Sequence, residues 1–287
     1  DMCGHASSAV EKYLELTGKS EQDLKKFANP CIDDHMLSDE DFETKGELSP
    51  IAARVVLTAL YLARLNRPDV YWSVNHLARH LTKWSIADDK RLHRLICFIH
   101  YTKDVIQFAF VGDHVADCFI AQFCDAGFAG DLRDSKSTGG SFSFLIGPST
   151  CVPLSWTCKK QGAVSHSSTE AEVIALDMAL RTEGIPHLHL WEEIILMFTN
   201  QQRPNFKREI KNAGKYELIA ASIDYVEPSL PGLTVNAKLV VLEDNDAVIK
   251  MIIKGRTNKM RHVPRTHRID LDSLFDTMRE DPGLCIK

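Results

Sequence analysis

The sequence lacks the features that mark membrane and secreted proteins. Its 287 residues contain no apolar run of about eighteen residues or more, the length that a membrane-spanning helix needs. No basic stretch followed by an apolar block occurs near residue 1, which argues against a signal peptide there. None of the eight cysteines forms a pair separated by two residues, so we expect reduced, mostly buried thiols rather than a zinc ribbon or a disulfide framework. We therefore expect no membrane partner and no secretion.

The negative charge is unevenly distributed along the chain. The net charge is −5, and residues 1–48 hold twelve acidic but five basic residues. The remainder holds 27 acidic and 29 basic residues, so the overall acidity does not exclude a nucleic-acid partner. We interpret residues 1–48 as an acidic leader or linker.

Apolar spacing predicts a small helical unit over residues 49–102. Ser49 and Pro50 are typical of a helix start, with serine as the cap. Apolar residues then recur at helical spacing over 51–62, 70–81 and 87–101.

After residue 102 the pattern changes to short apolar runs that are typical of strands. A helix is predicted from Ser167 to about Phe198, residues 200–236 are polar and irregular, and shorter helices follow. The order predicts an α/β domain over residues 103–287, with a mixed five-stranded sheet flanked by helices and an insertion at about 200–236. The predicted strands lie at residues 105–112, 118–124, 141–146, 152–157 and 237–242.

Four acidic residues lie at strand ends and helix starts of this predicted domain. Asp125 and Asp244 each follow or end an apolar strand, Glu172 lies near the start of the long helix, and Asp272 opens the last helix. Such positions converge at one sheet edge in α/β folds, and carboxylate oxygens suit Mg²⁺. Each acid is also an ordinary turn, cap or helix-dipole residue, so position alone leaves both interpretations open.

Six short segments of the sequence carry a recognisable pattern. Four are the blocks Asp125–Asp131, Asp134–Gly140, Ser155–Gln161 and Ser167–Glu172, and the other two are Leu65–Val70 and Glu243–Ile249. In this order and at this spacing the four blocks resemble the DADWAGD, KSTSGY, SWKSKKQ and SSTEAEY blocks in the ribonuclease H region of copia-type retrotransposon polyproteins. The other two segments are similar to the TRPDI block at the end of reverse transcriptase and to the CDNQSAI block.

The resemblance implies a ribonuclease H-like fold that cuts the RNA strand of RNA–DNA hybrids with two divalent ions, Mg²⁺ or Mn²⁺. It implies that Asp125, Glu172 and Asp244 are catalytic metal ligands, and that Glu170 serves a capping box. The upstream reverse transcriptase portion of the same polyprotein is the implied partner, in cytoplasmic virus-like particles with a possible nuclear phase.

The fourth acid and a histidine are assigned by spacing. Other ribonucleases H place a mobile histidine about ten residues before the last aspartate, which His262 and Asp272 match. Asp270 is the alternative fourth acid. His262 is expected to assist product release or proton movement, and a phosphate contact is the alternative.

A basic segment is expected to bind the phosphates of the substrate. The alternative is a solvated charge run. The residues expected to contact nucleic acid are Lys254, Arg256, Lys259, Arg261, Arg265 and Arg268, with Lys159 and Lys160 as a second patch.

Two other functions stay open. One is a catalytically decayed ribonuclease H-like module that binds nucleic acid or connects parts of a retroelement polyprotein. The other is a DNA-cutting member of the same broad fold, such as a transposase or a Holliday-junction nuclease. The chain contains no YxDD polymerase motif, so we expect no polymerase activity.

Overall fold

The protein divides into two compact units. The computed structural model describes residues 4–130, 134–199, 234–255, 260 and 262–287. No helix within these ranges is both long and apolar enough to cross a membrane. The helical unit comprises Asp1–Phe108, Ala129–Ser135 and Trp156–Lys160, and the sheet unit comprises Ala109–Phe128, Lys136–Ser155 and Gln161–Lys287.

The helical unit is held together by one apolar core. The three helices predicted over residues 49–102 are confirmed as α3, α4 and α5. Their spacing places leucine, isoleucine and valine side chains on inward faces, where burial stabilises them. The helices are α1 (His5–Thr17), α2 (Asp39–Glu43), α3 (Ser49–Leu65), α4 (Tyr71–His80) and α5 (Ile86–Tyr101), and fully buried core residues include Val55, Leu92 and Ile96.

Helix α1 belongs to this core. Tyr13 on α1 is fully buried, and its hydroxyl lies 2.9 Å from Nδ1 of His93 on α5. Leu24 is buried in the same cluster. The structure thus differs from the expected linker over residues 1–48, because α1 places small and aromatic side chains against α3 and α5.

The start of α3 is capped by a side chain from another helix. Leu48 occupies the cap position, and the Asp89 carboxylate accepts hydrogen bonds from the backbone N–H groups of Glu47 at 2.7 Å and Leu48 at 3.2 Å. The same carboxylate accepts the indole N–H of Trp84 at 2.6 Å. The prediction that Ser49 is the cap is therefore wrong, and a carboxylate from α5 serves the N–H groups that a helix start leaves unpaired.

A mixed five-stranded sheet organises the sheet unit, as predicted. The strand order is β3-β2-β1-β4-β5. Strand β1 pairs antiparallel with β2 and parallel with β4, and β4 pairs parallel with β5. The strands are β1 (Phe119–Gly127), β2 (Thr138–Gly147), β3 (Thr150–Lys160), β4 (Leu239–Leu242) and β5 (Leu284–Ile286).

One of the five predicted strands is wrong. Residues 105–112 form no strand and contribute a single bridge between Phe110 and Cys151. The fifth strand is instead Leu284–Ile286 near the end of the chain. Its three residues are too few to show the alternation by which a strand is predicted.

The long predicted helix is present but irregular. Helix α6 (Ser168–Ala179) continues through a π-helical segment (Leu180–Gly184) into α7 (Ile185–Thr199). Pro186 has no N–H to donate and its ring crowds the carbonyl four residues earlier. A wider turn before a proline relieves both conflicts, so Pro186 accounts for the position of the π-helical segment.

The remaining helices pack around the sheet. A buried cluster joins the sheet to α6, α7 and the C-terminal helices, and includes Ile120, Leu176, Leu188, Val241 and Phe275. The C-terminal helices are α8 (Asp246–Lys254), α9 (Val263–Thr266) and α10 (Leu271–Glu280).

The predicted insertion at 200–236 falls largely on residues 200–233, which lie outside the described residues. The described residues resume at Thr234, and those that follow contact α7. Glu192 is 2% exposed, and its carboxylate accepts the backbone N–H groups of Asn236 at 3.0 Å and Ala237 at 2.6 Å. These charge-assisted bonds fix the approach to β4.

We predict that Asp89→Ala lowers the free energy of unfolding of the helical unit by about 2 kcal/mol, because three donors lose one charged acceptor. Urea denaturation followed by circular dichroism measures the change. Asp104→Ala, at an exposed carboxylate of the same unit, is the matched control and should change stability little. Equal stability of Asp89→Ala and wild type would contradict the capping role.

Candidate metal centre

Strand register brings two aspartates to the same edge of the sheet. Strands β1 and β4 run parallel, and Phe123 is paired with Leu242. Asp125 and Asp244 each lie two residues beyond that pair. Carboxyl ends of parallel strands meet at one sheet edge, so both carboxylates lie there at the same level.

Helix α6 brings the third carboxylate. It begins after Ser167, whose hydroxyl accepts the backbone N–H of Glu170 at 3.1 Å. Small residues let the helix lie close to the sheet: a Cβ atom at Gly139 would lie 3.1 Å from the Cβ of Ala175. Ala126 and Ala171 are buried at the same interface. This close packing places Glu172 next to β1.

The three carboxylates converge. One oxygen from each of Asp125, Glu172 and Asp244 lies within 4.8 Å of the others. Glu172 is 7% exposed, whereas the two aspartates are exposed. The cluster is thus closed on the helix side and open to solvent at the strand ends, so that a ligand can reach it.

Burial and charge repulsion change the acidity of Glu172. Its pKa is raised to about 7, first by burial and then by the charges of Glu243, Asp125 and Asp244. A hydrogen bond from the backbone of Ala126 offsets part of this rise. Without a counter-charge, the folded protein therefore holds a proton here that a solvated glutamate would release.

Glu243 is a further member of this acidic region that the sequence did not assign. It is 6% exposed, and one of its oxygens accepts the backbone N–H of Asn245 at 3.2 Å. Its pKa is raised to about 7 because it is buried, with added repulsion from Asp244 and Asp125. It stands where the CDNQSAI block has cysteine. Two consecutive acids directly after an apolar strand were the available clue.

The donor set fits a hard divalent cation. Oε2 of Glu172 and Oε2 of Glu243 are both buried without a hydrogen-bond partner. Buried polar atoms are normally paired, and orphaned carboxylate oxygens beside other carboxylates are the donors that Mg²⁺ and Mn²⁺ prefer. Asp125, Glu172 and Asp244 could hold such an ion, with Glu243 adjacent.

The predicted fourth acid is not among the carboxylates whose oxygens lie within 4.8 Å of one another. Asp272 is exposed in the first turn of α10 and is not part of the three-carboxylate group. The alternative, Asp270, caps that helix by accepting the backbone N–H of Ser273 at 3.1 Å. The structure therefore brings together three of the four predicted ligands.

His262 is held by a different carboxylate. Its Nε2 lies 3.1 Å from Oε2 of Glu170, and Nε2 of His267 lies 3.1 Å from Oε1 of the same residue. Glu170 also accepts the backbone N–H of His166 at 3.0 Å. Burial alone raises the pKa of Glu170, but hydrogen bonds from His262 and His166 outweigh it and lower the pKa. The expected capping box is only half formed, because Glu170 accepts the N–H of His166 and not that of the cap residue Ser167. Glu170 instead joins two histidines to the start of α6.

The basic residues fall into two groups. Lys254, Arg265 and Arg268 are exposed on the sheet unit. In the helical unit Lys159 is exposed, and Lys160 forms an ion pair with Asp134 at 2.8 Å. The other three predicted contacts, Arg256, Lys259 and Arg261, lie outside the described residues.

Sequence comparisons identify relatives in a plant. An uncharacterized mitochondrial protein of Arabidopsis thaliana is 32% identical over 127 residues, which are 44% of this chain and 50% of that protein. The retrovirus-related Pol polyproteins from the transposons RE2 and RE1 of the same plant are 32% and 31% identical over 123 residues, which are 43% of this chain and 8% of each polyprotein. No protein-family model matches the chain, and no solved structure matches it significantly.

The matched part of the chain spans about half of the mitochondrial protein and a small part of the polyproteins. The chain is thus similar, at modest identity, to retrotransposon-related Pol polyproteins, in agreement with its resemblance to the copia type.

Proposed function

We propose that this chain is the ribonuclease H of a retroelement polyprotein and hydrolyses the RNA strand of RNA–DNA hybrids. The observation that carries the proposal is the convergence of Asp125, Glu172 and Asp244 within 4.8 Å at the open edge of a mixed sheet. Such a concentration of negative charge opposes folding unless a ligand repays it, so it favours a functional site over three unrelated turn and cap residues.

The carboxylates would bind and position two divalent ions, Mg²⁺ or Mn²⁺. Ions of this kind supply an activated water and neutralise charge at the scissile phosphate. Asp125 and Asp244, exposed at the strand ends, would bind the ions on the side of the site that faces the substrate. Glu172, whose position is fixed by α6, would offer its unpaired Oε2 to the ions from the buried side of the site. Glu243 adds negative charge behind them.

Substrate contacts would come from exposed cations of the sheet unit. Lys254, Arg265 and Arg268 are exposed and could neutralise phosphates of the hybrid without reading its sequence. Such contacts weaken as salt is added, because the counterions that binding releases favour association most strongly at low salt. Discrimination of RNA from DNA would depend on contacts to the 2′-hydroxyl.

The helical unit would act as the connection to the polymerase. It contains the segment Leu65–Val70, which resembles the end of reverse transcriptase, and the relatives RE2 and RE1 are Pol polyproteins. We therefore propose the upstream reverse transcriptase portion as its partner.

We predict that the full chain cleaves a labelled RNA–DNA hybrid in the presence of Mg²⁺, and that Asp125→Asn lowers the rate on the order of 100-fold or more, since a lost metal ligand removes several kcal/mol of transition-state stabilisation. The matched control is Asp104→Asn, in the helical unit. Gel analysis of the RNA strand measures the rate.

Other results of this assay would identify the alternatives. Hybrid binding without cleavage by wild type would favour a decayed binding module. Faster cleavage of duplex DNA than of hybrid would favour a DNA nuclease of the same fold. Unchanged cleavage by Asp125→Asn would contradict the assigned site.

We also predict a pH effect on stability without metal. Glu172 has a pKa raised from 4.5 to about 7, so between these values the folded state binds more protons than the unfolded state. The free energy of unfolding must then fall as pH rises through this window and stay lower above it. Mg²⁺ should restore stability at pH 8, because it binds the ionised carboxylates of the folded state.

Thermal unfolding with a chelator at pH 5.5 and pH 8 measures this effect. Glu172→Gln should lose less stability over that range than wild type and should gain less from Mg²⁺. Glu15→Gln, at an exposed glutamate on α1, should behave like wild type. An equal pH response in all three proteins would show that Glu172 is not the strained carboxyl.

A further inference from the structure

The helical unit contains a second group of potential metal ligands, which differs from the carboxylate cluster because it includes histidine side chains. His76 and His80 are four residues apart on α4, so their rings lie on the same face of the helix. Asp88 lies in the first turn of α5. One ring nitrogen of each histidine and one carboxylate oxygen of Asp88 lie within 4.8 Å of one another.

His76 carries an unsatisfied nitrogen. The side chain is 7% exposed, yet its Nε2 has no hydrogen-bond partner. Its other ring nitrogen lies 3.3 Å from Nη2 of Arg79, and the ring stacks on Trp72 with centroids 5.1 Å apart. The ring is therefore held in place with one buried nitrogen unused, and such atoms usually have a partner when the protein is in its working state.

Asp88 is fixed so that one oxygen faces the histidines. Oδ2 accepts the backbone N–H of Ser85 at 3.0 Å and its hydroxyl at 2.9 Å. Oδ1 lies 2.9 Å from Nδ1 of His80. The start of α5 thus orients the carboxylate, in the way that supporting hydrogen bonds orient the ligands of metal sites.

Arg91 is the competitor that a cation would have to displace. Its Nη1 lies 3.2 Å from the same Oδ1 of Asp88. Its Nη2 forms an ion pair with Asp34. Asp34 can therefore keep the guanidinium neutralised after Arg91 gives up Oδ1, so displacement leaves no buried positive charge without a partner.

We propose that His76, His80 and Asp88 bind one zinc-type divalent cation that ties α4 to α5. Two imidazoles and one carboxylate suit Zn²⁺, which accepts three protein ligands and a water. They suit Mg²⁺ poorly, since Mg²⁺ prefers oxygen donors. This site is independent of the ribonuclease H proposal, because none of its residues belongs to the acidic cluster.

The test is a Zn²⁺ titration of the full chain carrying Asp125→Asn and Asp244→Asn, which removes binding at the acidic cluster. We expect one Zn²⁺ per chain by calorimetry, and a rise in the melting temperature of the helical unit because the ion binds the folded state. Adding His80→Gln should weaken binding by about tenfold or more. His114→Gln, at an exposed histidine of the sheet unit, should leave affinity unchanged.

Two further measurements separate loss of the ion from loss of the fold. The His80 side chain is 22% exposed, so His80→Gln should stay folded, and circular dichroism checks this. The second variant, His76→Gln, should also lose the ion. Co²⁺ substitution then reports the ligands, because thiolates give an intense charge-transfer band and imidazoles do not. Absence of bound Zn²⁺, unchanged affinity in both histidine variants, or a thiolate band would each overturn the proposal.

Discussion

The candidate site depends on how closely one helix lies on the sheet. Helix α6 approaches β2 at Gly139, where a Cβ atom would lie 3.1 Å from that of Ala175. A larger side chain at this contact would lift the helix, since packed interiors leave no spare volume. Glu172 lies on the next turn of the helix towards its start. Its carboxylate reaches Asp125 and Asp244 because the small residues permit that approach.

The same approach creates an electrostatic cost. It buries a glutamate beside two aspartates, and Glu243 adds a second buried acid from the strand side. Neither buried acid has a cationic side chain as its hydrogen-bond partner among the described residues. A local loss of stability of this kind is common at functional sites, which is why the cluster is a candidate site. The helical unit differs, because its buried Asp88 is satisfied by Ser85, His80 and Arg91.

Sequence patterns predicted those parts of the site whose position depends on neighbouring residues in the chain. Asp125 and Asp244 follow apolar strands, and Ser167 marks the start of α6, so the three acids could be placed at one sheet edge from local patterns. The resemblance to the ribonuclease H blocks then implied that they are metal ligands. Asp272 was placed by spacing along a segment with little regular pattern, and the structure leaves it outside the group. The β5 strand and the buried position of Glu243 depend on pairing between distant segments, which no local pattern reports.

The π-helical segment between α6 and α7 has a mechanical consequence. Successive residues of a regular helix turn by about 100°, so a widened turn changes the direction in which later side chains point. Residues on α7 such as Leu188 and Trp191 can therefore face their own partners without dictating the rotation of α6. The irregular turn thereby separates the rotation of α6, which carries Glu172, from the rotation of α7. The helix face at the carboxylate cluster and the face that packs in the apolar core can therefore vary separately.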